Sequence, residues 1–153
     1  MIPLDKTEIK TENEKKKEYL RGYQRHVRKI KRIESDLEEI RLMKQYPSMS
    51  TDGMPHASNN SDLSGYAAVL DKKERELVRE RYSRIKEYHV ITKTIESMAN
   101  DKEKDVLHYR YIKGLDWWEI AEKMGYSERQ IHRYHGKALV NFIIPVKDVS
   151  ECQ

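Results

Sequence analysis

Between Asn13 and Tyr46 the apolar residues recur in steps of three and four: Leu20, Tyr23, Val27, Ile30, Ile33, Leu37, Ile40 and Met43. That spacing follows the helical period and lays these side chains along one narrow stripe. The segment holds no proline and a single glycine, Gly22, so the pattern predicts one helix, roughly 50 Å long at about 1.5 Å per residue. A second periodic stretch predicts another long helix over about 64–98. Its stripe is Tyr66, Leu70, Leu77, Ile85, Tyr88 and Ile95, with Val69, Ile91 and Met98 alongside. Between the two lies PSMSTDGMPHASNNSDLSG, residues 47–65, which has turn chemistry and little to bury and reads as a flexible linker. Two such helices pack most simply as an antiparallel hairpin or coiled coil. A stripe this narrow leaves a second copy of the chain, in a homodimer, as the other partner open to it.

The pattern shortens after Asn100. Asn100 and Glu103 have capping-box spacing, followed by Val106, Leu107 and Tyr111 or Ile112 at inward positions, with Gly114 suited to a left-handed helix end. Asp116 and Glu119 open a second short helix, Trp117 to Met124. Gly125 permits a tight turn, and Ser127 with Gln130 opens a third helix from about Glu128 to Phe142, ending before Pro145. Two capped helices on a three-residue turn form a helix-turn-helix unit. Ala121 is the small residue needed where the helices cross, and Ile120, Met124, Ile131 and Leu139 are spaced for a shared core. The predicted fold is therefore all-α: a long helix (1–46), a linker (47–65), a second long helix (66–99), a helix-turn-helix domain (100–145) and a tail (146–153).

The third short helix carries the candidate chemistry. Glu128, Arg129, His132 and Arg133 face away from Ile131, where arginine can bond guanine and glutamate can accept from cytosine. Lys137, one turn further, suits a phosphate. Ser127 and Gln130 at the helix start, and Trp117 through its indole N–H, complete the expected DNA-facing set. The bland alternative is an ordinary solvated helix face. Of Trp117 and Trp118, one is expected to pack and the other to be partly exposed. Further back, the run RGYQRHVRKIKR sets Arg21, Arg25, Arg28 and Arg32 in one stripe opposite the apolar seam. It could follow phosphates, dock an acidic partner, or simply be solvated.

The segment VLHYRYIKGLDWWEIAEKMGYSERQIHRYHGKAL resembles region 4 of RNA polymerase sigma factors. It is still more similar to phage transcriptional regulators of the ArpU type, which join such a module to helical N-terminal segments. The resemblance covers roughly residues 101–142. It implies a phage or prophage protein that binds double-stranded DNA to regulate transcription and that could touch RNA polymerase. The sequence departs from the sigma pattern at His135, where an apolar residue is usual, and Gly136 after it weakens a helix.

Composition supports this outline. Of 153 residues, 37% are charged, with six glycines and one phenylalanine, which favours exposed helices over sheets. A net charge of +4 is compatible with nucleic acid. The single cysteine, Cys152, allows no internal disulfide and fits a reducing cytoplasm. No apolar run approaches a membrane span. No phosphate loop, activated nucleophile, cofactor motif or zinc-like ligand spacing is present, so neither an enzyme nor a metal protein is expected. The rivals to a DNA-binding regulator are a small terminase-like packaging protein and an interaction protein that binds polymerase without DNA.

Overall fold

A computed structural model describes residues 5–45 and 60–146 of the chain. Every element in it is helical: α1 (Lys6–Leu20), α2 (Gly22–Gln45), α3 (Asn60–Glu96), α4 (Asp101–Leu107), a π-helical turn (His108–Ile112), α5 (Trp117–Met124) and α6 (Glu128–Asn141). The protein is all-α among its described residues. None of these helices is long and apolar enough to cross a membrane. The chain divides into two compact units, one of residues 26–84 and the other of residues 1–25 with 85–153.

In the unit of residues 26–84, Ile30, Ile33 and Leu37 of α2 meet Leu77 and Leu70 of α3. The expected stripe positions supply this seam. Ion pairs line its margins: Lys29–Glu80 at 2.6 Å, Glu34–Arg81 at 2.9 Å, Asp36–Lys73 at 3.2 Å and Arg41–Glu74 at 3.3 Å. Residues 29 and 34 of α2 pair with 80 and 81 of α3, and residues 36 and 41 with 73 and 74, so the two segments run in opposite directions. The pairs are exposed or only partly buried, and each adds little energy. Together they fix the register that the apolar contacts leave loose.

In the other unit, α1 packs on α6. Lys16 is buried, and its Nζ donates to the carbonyls of Leu139 (2.9 Å) and Val140 (3.3 Å). Those carbonyls lie in the last turn of α6, where they have no partner within the helix. A cation there also suits the negative end of the helix dipole. Phe142, fully buried, ends α6 with its ring centroid 6.1 Å from that of Tyr19. Leu20, Tyr23, Ile91 and Ile95 are buried in the same unit.

Four boundaries differ from the sequence reading. Helix begins at Lys6 rather than near Asn13, because Asp5 and Glu8 form a capping box. The expected single helix is interrupted at Arg21, just before Gly22. Helix α3 starts at Asn60, so residues 60–65 are not linker; Asn, Ser and Asp suit a first helical turn as well as a loop. Residues 47–59 of the expected linker, and all of the tail beyond 146, lie outside the described residues. The fourth difference is the π turn, closed by Lys113 N–H to the His108 carbonyl at 3.0 Å. With one extra residue in the turn, Tyr111 and Ile112 are both buried rather than one of them.

Candidate nucleic-acid interface

Helices α5 and α6 are each started by side chains. Asp116 and Glu119 form a capping box on α5, with the Asp116 N–H donating to Glu119 Oε2 at 2.8 Å. Ser127 and Gln130 do the same for α6: Gln130 N–H donates to Ser127 Oγ (3.3 Å) and Ser127 N–H to Gln130 Oε1 (3.2 Å). Gly125 between them has φ of 71°, a left-handed conformation that disfavours any residue with a Cβ. The box expected at Asn100 is only half formed. Asn100 accepts from the N–H groups of Lys102 and Glu103, but the Glu103 side chain is buried and takes a 2.8 Å bond from Asn141 on α6. Glu103 ties α4 to the end of α6 instead of closing its own helix start.

The inward face of α6 is fastened at several points. Ile131 packs with Val106, Ile120 and Ala121, and Met124 borders this cluster. Ala138 and Leu139 are also buried. At Gly114, φ is 70° and an added Cβ would come within 3.2 Å of Gln24. Gln24 Nε2 donates there to the carbonyls of Tyr111 (3.2 Å) and Ile112 (2.8 Å), closing the π turn on which α6 rests.

His135, where an apolar residue would suit the resemblance, belongs to the core. It is buried, and its Nε2 lies 2.8 Å from the Tyr111 hydroxyl. Burial first, then the charges of Lys17, His132, Arg110 and Arg21, push its pKa down to about 4. Burial pushes the Tyr111 phenol up to about 12. Tyr111 is therefore the donor and the neutral imidazole the acceptor. Helix α6 passes unbroken through Gly136, which has open space around it.

Of the sequence-predicted residues, Ser127, Glu128, Arg129, Gln130, His132, Arg133 and Lys137 are all exposed on α6 or at its cap. Arg129, Arg133 and Lys137 make no ion pair among the described residues. Trp117 sits differently from the rest. Its ring centroid lies 4.5 Å from that of His132 and 4.8 Å from that of His135, with the Arg110 guanidinium 4.4 Å away. Arg110 is in turn held by the Leu115 carbonyl at 2.9 Å. Trp117 packs, while Trp118 is 58% exposed. The basic stripe divides: Arg21 and Arg25 both pair with Glu18, whereas Arg28 and Arg32 are exposed and make no ion pair among the described residues.

One cluster has no signature in the sequence because it joins three elements. Lys102 of α4 holds its Nζ 5.2 Å from the Tyr126 ring centroid and 5.6 Å from that of Tyr134. The two rings meet edge to face at 5.3 Å. The hydrogen-bonding approach of Lys102, and then its charge, hold the Tyr126 phenol below its ordinary pKa, and the same contact raises that of the ammonium.

Removing the cap tests the start of α6. Ser127→Ala should cost about 1 kcal/mol of stability, read by urea denaturation. An unchanged denaturation midpoint would show that the Ser127 side chain does not cap α6. Compared with known proteins, this chain matches no family model, no curated protein and no solved structure.

Proposed function

We propose that the protein is a sequence-specific, double-stranded DNA-binding regulator of transcription, with α5 and α6 acting as a helix-turn-helix. Helix α6 is the reader that enters the major groove, and α5 braces it. The observation that carries this reading is the contrast between the two faces of α6. The inner face is fixed by Ile131, His135, Ala138 and Leu139, all buried, while the outer face offers Arg129 and Arg133 without carboxylate partners among the described residues. A charge left unneutralised on a rigid helix suits a polyanion. Arg129 and Arg133 are the base readers; His132 and Glu128 flank them, Lys137 meets phosphate, and Trp117 braces the helix start through its packing.

The paired residues of α2 and α3 serve dimer formation or a polymerase contact. No catalysis, cofactor or metal enters this account. The sigma-like motif supports a phage or prophage origin and action in the bacterial cytoplasm. Selection from a randomised duplex pool tests the function directly. A shared short motif should emerge within a few rounds, with binding that weakens steeply as salt rises. Binding without any enriched motif, together with a large ring of subunits, would favour a packaging role. No duplex binding at all would leave a polymerase-binding protein.

A further inference from the structure

The geometry points to the Lys102, Tyr126 and Tyr134 cluster as a backbone-phosphate clamp, holding one DNA strand beside the groove that α6 enters. This rests on the duplex-binding reading above and adds a contact that the helix-turn-helix pattern does not specify. Three observations converge on it. First, Lys102 is exposed and makes no ion pair among the described residues, although the protein pairs many of its cations elsewhere. Second, the cluster offers donors. An ammonium has three N–H groups and a phenol one O–H, and Lys102 holds its ammonium close to both tyrosine rings. A ligand that meets two phenol hydroxyls and an ammonium is an acceptor-only anion, which is what a phosphodiester is.

Third, its position around α6 is right. At about 100° per residue, the surface runs from Arg129 and Arg133, through Lys137 and Gln130, to Tyr134. A major groove about 12 Å wide leaves a helix of about 10–12 Å diameter flanked by phosphates on both sides. The face carrying Arg129 and Arg133 then meets base edges, and the flank carrying Tyr134 meets the strand. Tyr126 lies one residue before the Ser127 cap, and Lys102 is supplied by the first turn of α4, fixed by the Asn100 cap. Three elements thus converge on one flank of one helix.

The test uses Lys102→Gln and the double variant Tyr126→Phe with Tyr134→Phe, each bound to a short duplex of random sequence over a salt series. Lys102→Gln should weaken binding about tenfold and flatten the salt slope by about 0.9, the loss of one phosphate contact. The double Phe variant keeps both rings and should weaken binding several-fold without moving the slope, because no counterion release is lost with a neutral donor. Inorganic phosphate at matched ionic strength should displace the duplex no better than chloride. Variants that melt like the parent and bind like it would overturn the clamp while leaving the duplex reading intact. Preferential displacement by inorganic phosphate would reassign the cluster to a free anion. Failure of the parent protein to bind any duplex would remove both.

Discussion

Truncating Arg129 or Arg133 to alanine should lower affinity for the preferred duplex by about 1–3 kcal/mol, which is roughly 5- to 150-fold. The loss should be much smaller on random DNA, so the ratio of specific to non-specific affinity contracts while the salt slope barely moves. Both residues are exposed, and they lie one turn apart on the face opposite Ile131. Among the described residues, neither spends its guanidinium on a carboxylate. Lys137→Ala should behave the other way, weakening all duplexes alike and flattening the salt slope by about one unit. If both arginine variants keep the parent's preference for its site, base reading belongs to other residues.

Acid should destabilise the protein in a window set by His135. Unfolded, this side chain takes up a proton near pH 6.5; folded, its burial holds the pKa down to about 4. Between those values the unfolded chain binds more protons, so stability falls as pH falls. The contribution is complete above about 6.5 and is lost on the way to 4, amounting to about 3 kcal/mol at 1.36 kcal/mol per unit. Part-buried His108, shifted downward by burial, acts in the same direction. Glu80, whose charge is held by Lys29 and then His26, loses its contribution only at lower pH, below its ordinary 4.5. His135→Gln retains an acceptor for the Tyr111 hydroxyl but cannot titrate. Urea denaturation between pH 7 and pH 4 should therefore show a distinctly shallower loss for the variant. Parallel curves would mean that His135 is not protected from protonation by the fold.

Much of this molecule was legible from side-chain spacing. The two long apolar stripes have the helical period, and Ile30, Ile33, Leu37 and Leu77 are the residues found buried where they cross. The Asp116 and Ser127 boxes could be read because capping is a local event, complete within four residues. What escaped depends on contacts between distant segments. Glu103 has the spacing of a capping residue but is claimed by Asn141, 38 positions away. Lys16 looks like any lysine on a charged helix, yet it closes the end of α6 from 123 positions away. His135 reads as a polar intruder until Tyr111 is seen to satisfy it. The Lys102 cluster needs α4, the turn and α6 to be assembled before it exists. Asp5 and Glu8 are the exception, since their capping-box spacing was present in the sequence and would have moved the first helix start to its observed position.

The central claim is that the outer face of α6 is the surface that meets DNA. Backbone amide chemical-shift mapping on the whole protein, titrated with duplex carrying the selected motif, tests it most directly. The largest changes should fall on residues 127–137, with a second set at Lys102 and Tyr126, and leave Ile30, Ile33 and Leu37 still. Changes confined to the α2 stripe around Arg28 and Arg32, with α6 unmoved, would contradict the account.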